Sequence, residues 1–390
     1  MINRFLKLLF VVLIILSTTG CWNKLELPER VFIMSLGIDE GVGKSGNIQL
    51  TAQLYKPNPG LKQNTQDKSF VNIQSESDSM FETVRDLTLH MGRKVHWSHM
   101  RIIVIGEEFA KKRGLEEILD FFFRNQELRL TTYVHIAKGK ASQYMVTKPL
   151  IENTLGQQLL TIQEVAYKYS GKTANVTLLD LGFQLKGQVN DAMIPYLYRS
   201  KKITYTTPVA GAALLKNGKM IGKLSSQDME SVLMLRDEYE RGVIEVPCLN
   251  QPAGKPKMKE TIQVISSSTQ LSPEIKNKSV KVKASIAIEG TVTELKCSKI
   301  TTSEEEAEFL TRVKNIIEKD MLRSYEELKR KKIDVINLGN LIYSRHPGLW
   351  KSMKEDWHEI FANSQLQIET KIKIINTGTT TGKSVLSKQK

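Results

Sequence analysis

Three histidines in one short segment are the residues whose types and spacing first suggest chemistry. His90, His96 and His99 lie close together in the sequence, with Arg93 and Lys94 between them. A metal site needs ligands that converge from one side, together with a further Asp, Glu or Cys. Because the neighbouring cations disfavour a bound metal ion, we interpret these histidines as surface or helix-capping residues.

Runs of carboxylates could suggest paired acid and base groups. They occur at Glu107-Glu108, at Glu116-Glu117 and from Glu304 to Glu306, each at or near a predicted helix start, where negative charge is favoured for structural reasons. The sequence also contains no HExxH, GxSxG, Walker A, GxGxxG or paired CxxC motif. We therefore expect no enzymatic activity, no metal site and no cofactor.

The cysteines are Cys21, Cys248 and Cys297. Only the last two lie in the predicted folded part, and both are surrounded by apolar residues typical of strands. We expect buried free thiols that behave as small hydrophobic side chains. A pairing between them remains open.

Trp350 and Trp357 lie seven residues apart after Pro347-Gly348, which places both on one face of a helix. We expect them to pack in the core against a neighbouring long helix. The alternative is that they form an exposed aromatic face that docks a membrane partner or a wall glycan.

The N-terminus predicts export. A positively charged start precedes an apolar run at 8–16, which is too short to span a bilayer comfortably, and small polar residues lead to Gly20 and Cys21. This layout resembles the lipobox of bacterial lipoproteins, although Thr18 stands where Leu is usual. The resemblance implies cleavage between Gly20 and Cys21, with S-diacylglycerol and N-acyl groups on the cysteine. An uncleaved signal anchor is the alternative.

Composition indicates a globular protein with an anionic neighbour. The chain has 390 residues, 41% hydrophobic and 25% charged, with a net charge of +14. The excess of cations is spread along the chain and no aromatic-rich basic segment accompanies it. We therefore expect a solvated surface near an anionic membrane and no nucleic-acid partner.

Hydrophobic periodicity predicts an α+β protein with several domains, in which helices pack on mixed sheets. The first part reads strand-strand-helix-strand-helix-strand over residues 31–137, and helices near 152–169 and 177–185 follow. The pair Asn217-Gly218 between two apolar runs predicts a hairpin. A link near 199–207 separates two modules.

The C-terminal third has the clearest pattern. Residues 280–288 and 366–375 alternate as strands that should pair, and a long amphipathic helix lies between them, packed against an antiparallel sheet. Ser303 and Glu306 are predicted to form its capping box, and Asp334 to cap a shorter helix. We divide the chain into a signal peptide (1–20), an N-terminal module (21–200), a C-terminal module (205–376) and a flexible tail (377–390). The modules could subdivide near 145 and near 250–275.

Four ordered blocks of sequence carry a family resemblance. They begin CWNKLELPERVFIMSLGID at 21, GRKVHWSHMRIIVIGEEF at 92, GAALLKNGKMIGKL at 211 and DVINLGNLIYSRHPGLW at 334. Together they span nearly all of the chain after the leader. The chain resembles the Ger(x)C family of spore germination lipoproteins, the C subunits of nutrient-germinant receptors.

This resemblance implies a non-catalytic receptor subunit. Its partners would be the polytopic A-type and B-type subunits, and Cys21 would hold it on the outer surface of the spore inner membrane. A solute-binding lipoprotein of a transporter is the alternative, which tight binding of a nutrient by the purified chain would indicate. A cell-wall hydrolase, which would need a metal or carboxylate site, is a third hypothesis.

Overall fold

The computed structural model describes residues 2–7, 10, 30–43, 46–56, 69–200, 206–249 and 258–377. Its strands are β1 (Arg30–Glu40), β2 (Ile48–Tyr55), β3 (Phe70–Ser77), β4 (Lys94–His96), β5 (Ile102–Gly106), β6 (Tyr133–Ala137), β7 (Asp191–Leu197), β8 (Val209–Lys216), β9 (Lys219–Leu224), β10 (Gly242–Pro247), β11 (Lys259–Lys276), β12 (Ser279–Glu294) and β13 (Gln365–Asn376). Its helices from Met80 onward are α1 (Met80–Met91), α2 (Glu107–Lys112), α3 (Glu116–Arg124), α4 (Ser142–Met145), α5 (Leu155–Val165, continued by a π-helical turn at Ala166–Ser170), α6 (Leu178–Lys186), α7 (Ser226–Leu235), α8 (Ser303–Arg330), α9 (Leu338–Arg345), α10 (Pro347–Met353) and α11 (Trp357–Ala362).

The first sheet has nine strands in the order β3-β2-β1-β5-β6-β7-β8-β9, and the short β4 also pairs with β1. Strands β1, β5, β6 and β7 are parallel neighbours, and the strands at either side pair antiparallel. Residues 102–105 are apolar without alternation because both faces of β5 are covered. Ile103 and Ile105 join the main core, while Ile102 and Val104 pack with α4 and α5 on the opposite face.

The second sheet has four strands in the order β10-β11-β12-β13. Helix α8 lies against it through a buried stripe, which consists of Phe309, Val313, Ile317, Met321, Tyr325 and Leu328. Strands β12 and β13 do pair, but they run parallel, so the predicted antiparallel sheet is antiparallel only from β10 to β12. The α+β class with two mixed sheets and packed helices is confirmed.

The hairpin and the capping box are two local predictions with different outcomes. The hairpin turn between β8 and β9 is confirmed, with φ of 49° at Asn217 and 74° at Gly218, values that these two residues tolerate best. The capping box of α8 begins one residue earlier than predicted. Thr302 and Glu305 form it, because the Thr302 hydroxyl accepts from the Glu305 N–H and the Glu305 carboxylate accepts from the Thr302 N–H.

The first sheet crosses the predicted link between modules. Strands β8 and β9 lie beyond that link, yet β8 pairs with β7 along most of its length. The first sheet also continues through residue 145, since α4 and α5 pack on one of its faces. The two predicted modules therefore share one sheet, and the second sheet begins only at β10.

Candidate functional site

Trp350 and Trp357 lie on two different short helices, α10 and α11, rather than on one continuous helix. Each residue is only 1% exposed, and the ring centroids are 5.1 Å apart in an edge-to-face arrangement. Both indole N–H groups have partners: Trp350 donates to Gln188 Oε1 at 3.2 Å, and Trp357 donates to Asp334 Oδ2 at 3.0 Å. Both rings pack in the core, and neither presents an exposed face to a docking partner in this structure.

Asp334 is the centre of this cluster. Its carboxylate accepts hydrogen bonds from Leu338 N at 3.0 Å and Gly339 N at 2.7 Å, in addition to the Trp357 indole. It thus caps the start of α9, as the sequence predicts, but from four residues before the helix. The pKa of Asp334 is raised to about 6, chiefly by burial and also by the nearby charge of Asp191, although its hydrogen bonds act in the opposite direction.

Asp191, the first residue of β7, connects this cluster to the first sheet. Its carboxylate accepts from Asp334 N at 2.7 Å and lies 3.1 Å from His358 Nε2. Nearby, Gln188 N donates to Asn340 Oδ1 at 2.8 Å. A set of buried polar groups therefore joins the segment before β7 to helices α9, α10 and α11. We call residues 188, 191, 334, 350, 357 and 358 the junction cluster.

The cysteines form a second cluster. Cys248 and Cys297 are joined in a disulfide with Cα atoms 5.9 Å apart, so the expectation of free thiols is wrong. Residues just after β10 and β12 meet here because both strands flank β11 in the same sheet. A metal ion would need thiolates at this place, and the disulfide leaves none.

Glu260, on β11 beside the disulfide, is fully buried. It accepts from the backbone N–H groups of Lys296, Cys297 and Ser298 at 2.7–3.0 Å, and from the Ser298 hydroxyl at 2.5 Å. Burial alone would raise the pKa of Glu260, but the hydrogen bond from Ser298 and those from the backbone outweigh burial and lower it. This carboxylate fixes the loop at 296–298 rather than facing a substrate.

The helix-start carboxylates lie where the sequence analysis places them, and His90 and His99 are exposed, but His96 is half-buried in β4 and caps no helix. His90 is largely exposed near Asp86, and His96 lies 2.8 Å from the Ser98 hydroxyl. Glu107, Glu108, Glu116 and Glu117 occupy the first turns of α2 and α3, and Glu304 to Glu306 occupy the first turn of α8.

A groove of about 450 Å³ between α7, β10 and α8 was not foreseen. Burial raises the pKa of Glu230 in this groove to about 7, although Lys172, with its ammonium 3.9 Å away, acts to lower it. Sequence gives little signal for such a group, because Glu230 is an ordinary charged residue within an amphipathic helix.

The lipidation site lies outside the described residues, as do the predicted cleavage point between Gly20 and Cys21 and most of the flexible tail. Within the part of the chain that the structure describes, no helix has the length and apolar character needed to cross a bilayer. The described body begins at Arg30, nine residues after Cys21.

The described residues form a two-sheet α+β body with a buried polar junction and a disulfide between the segments that follow β10 and β12. Residues 23–198 match the family described as the spore germination protein N-terminal domain, and residues 210–378 match spore germination B3/GerAC like, C-terminal. The chain therefore belongs to the GerAC-like family of spore germination proteins, as the ordered blocks indicated.

Relatives and a solved structure agree with this assignment. Spore germination protein B3 of Bacillus subtilis (strain 168) is 25% identical over 94% of this chain and 96% of its own length. Spore germination protein KC of the same organism is 24% identical over 95% of both chains. The crystal structure of the GerBC protein matches with a TM-score of 0.54 and 21% identity, over 87% of this chain and 97% of that one. At this identity the structural match supports the fold alone.

Proposed function

We propose that this protein is a lipid-anchored, non-catalytic subunit of a spore nutrient-germinant receptor. The observation that carries the proposal is the pair of family matches, which together cover both modules in order. The relatives that match nearly end to end are named as spore germination proteins, and they cover 94–95% of this chain.

The anchor is proposed at Cys21. After cleavage behind Gly20, a thioether-linked diacylglycerol and an amide-linked acyl chain on this residue would hold the chain at the outer surface of the spore inner membrane. Each buried methylene of such chains contributes about 0.8 kcal/mol, and more than one chain is needed for stable attachment. Lipidation at this one residue would therefore suffice to keep the folded body at the bilayer.

The partners are proposed to be polytopic A-type and B-type subunits in the same membrane. The buried acids that we describe in the junction cluster and beside the disulfide are engaged in hydrogen bonds that hold the fold together. This supports a role through protein contacts rather than through turnover of a substrate.

Substitution of the anchor residue tests the first part of the proposal. Cys21→Ala should abolish incorporation of labelled palmitate, release the protein from the spore membrane fraction and weaken the nutrient response. Thr18→Leu is the matched control: it changes the same segment toward the usual lipobox and should leave all three unchanged. A Cys21→Ala protein that stays labelled and membrane-bound would refute the anchor.

Crosslinking in spore membranes, followed by mass spectrometry, tests the second part. The proposal expects crosslinks to polytopic subunits of one receptor. Recovery of the protein with no such neighbour, or hydrolysis of wall material by the purified chain, would contradict it.

A further inference from the structure

The starts of the parallel strands place several separate segments at one edge of the first sheet. Strands β1, β4, β5 and β6 run in the same direction and begin at Arg30, Lys94, Ile102 and Tyr133. Residues 30–32, 93–101 and 124–132 therefore lie together at this edge, which we call the strand-start edge. Helix α6 also lies there, because it begins beside β6 and ends just before β7.

Positive charge converges on the strand-start edge. Arg101 lies just before β5, between β1 and β6, because its N–H donates to Met34 O at 2.9 Å and its carbonyl accepts from Tyr133 N at 3.1 Å. The pKa of His99 is lowered, first by partial burial and then by the positive charges of His96, Arg101 and Arg129. The ring of Phe32 lies between the two histidines, with its centroid 5.5 Å from that of His96 and 4.8 Å from that of His99.

Few carboxylates compensate this charge. Glu127 is the acidic residue within the three segments, and it is already shared between Lys94 at 3.5 Å and the His96 ring at 3.7 Å. Asp180, on α6 at the same edge, accepts hydrogen bonds from the backbone and hydroxyl of Thr177. The Nε atom of Arg101 is buried without a hydrogen-bond partner among the described residues. This buried Nε cannot itself reach a headgroup, so an oxyanion such as a phosphate would have to be bound by the other N–H groups of this half-buried side chain.

Exposed apolar side chains border the same charges. Leu179 N donates to Leu130 O at 3.0 Å, which places the start of α6 beside Arg129. At the start of this helix Leu179 is 37% exposed, and Phe123, which lies against the backbone of Gly182 on the same helix, is 38% exposed. Cations interspersed with exposed aromatic rings are typical of surfaces that rest on a bilayer, where rings enter the interface and cations contact headgroups.

We propose that the strand-start edge binds the anionic phospholipid headgroups of the bilayer and so orients the folded body on the membrane. This inference rests on the proposed lipid anchor at Cys21, which would bring this edge close to the bilayer. Arg30 is nine positions after Cys21, and a chain of that length spans at most about 30 Å. Along the chain, the edge at which β1 begins is therefore the part of the first sheet nearest to the anchor and hence to the bilayer. This position favours lipid over an acidic protein partner.

Vesicle binding without the anchor tests this surface separately from lipidation. The probe is the mature chain from residue 21 with Cys21→Ala, mixed with phosphatidylglycerol vesicles or with phosphatidylcholine vesicles. Binding should favour the anionic vesicles and weaken as salt rises. Arg101→Gln with Arg129→Gln should lower the partition coefficient roughly 10-fold or more, since each cation near an anionic leaflet contributes a factor of about five. The matched control, Lys281→Gln with Lys283→Gln, removes the same charge from exposed positions on β12 and should change binding by less than about twofold.

A second pair of substitutions controls for the possibility that replacing the half-buried Arg101 impairs folding. Arg93→Gln with Arg129→Gln changes only exposed side chains and should also weaken binding, while Leu179→Ser should weaken it without changing its salt dependence. Equal binding to both vesicle types, or equal losses in the control pair, would overturn the proposal. Stronger competition by inorganic phosphate than by chloride at the same ionic strength would also overturn it, because that result would indicate a site for free phosphate. Loss of partner crosslinks with no vesicle binding would indicate an acidic protein instead.

Discussion

Gly339 gives the sharpest test of the junction cluster. It is the second residue of α9, and a Cβ atom at this position would lie 2.5 Å from Val189 Cγ2, 2.8 Å from Trp350 Cη2 and 2.8 Å from Trp357 Nε1. All three neighbours are in buried residues, and the Trp357 nitrogen is held by its hydrogen bond to Asp334. Gly339→Ala therefore requires movement in a packed and hydrogen-bonded core.

The expected magnitude follows from two opposed effects. Replacing Gly by Ala in a helix stabilises it by roughly 0.5–1 kcal/mol, because the unfolded chain loses conformational freedom. Overpacking of a closed core costs about 1–3 kcal/mol, and any lengthening of the indole hydrogen bond to a buried carboxylate adds about 1 kcal/mol. We expect Gly339→Ala to lower the free energy of unfolding by about 1–3 kcal/mol.

Gly348 provides the control. It is likewise the second residue of its helix, α10, but nothing lies within 4 Å of a Cβ built on it. Gly348→Ala should leave the free energy of unfolding unchanged or raise it by up to about 1 kcal/mol. Urea unfolding followed by tryptophan fluorescence measures both variants. If Gly339→Ala matched Gly348→Ala in stability, the tight packing described for the tryptophan pair would be refuted.

Three further perturbations have defined outcomes. Because the pKa of Glu230 is raised from 4.5 to about 7, the folded protein should lose stability as pH rises through this range, by up to about 3 kcal/mol; Glu230→Gln should flatten that dependence in urea titrations at several pH values. Reduction of the Cys248–Cys297 disulfide, or Cys248→Ser with Cys297→Ser, should cost about 4 kcal/mol or less for a separation of 49 residues, and equal unfolding midpoints with and without reductant would argue against the bond. Glu260→Gln should cost about 1–3 kcal/mol, because its backbone donors at 296–298 lose a charged acceptor, and hydrogen exchange at those amides should rise.

Elements with strong local patterns were predicted well. The alternation at 280–288 and 366–375 identified β12 and β13 and their pairing, because one face of each strand is buried and the other is solvated. The apolar stripe of α8 was equally clear, since a helix of 28 residues repeats its period many times. The family resemblance rested on ordered blocks of sequence, and both family matches agree with it.

Elements that depend on distant partners were missed. Strand β3 reads as a polar segment because much of its side-chain surface is only partly buried, and β11 is long but largely exposed in its second half. The direction of β13 cannot be read from alternation, which is the same in parallel and antiparallel strands. The disulfide was missed because two isolated cysteines 49 residues apart carry no spacing signal.

The junction cluster bears on how a subunit of this kind could act. Asp191 and Asp334 are buried, and separating the segments that carry them would leave charged groups without hydrogen bonds, at a cost of about 1–3 kcal/mol for each unsatisfied group. Strand β8, which pairs with β7, adds a continuous backbone ladder across the predicted link. We therefore expect the body from β1 to β13 to move as one unit. In the membrane-anchored subunit that we propose, any transmitted change would then be a change in the position or orientation of the body relative to its neighbours, rather than a bend between its two modules.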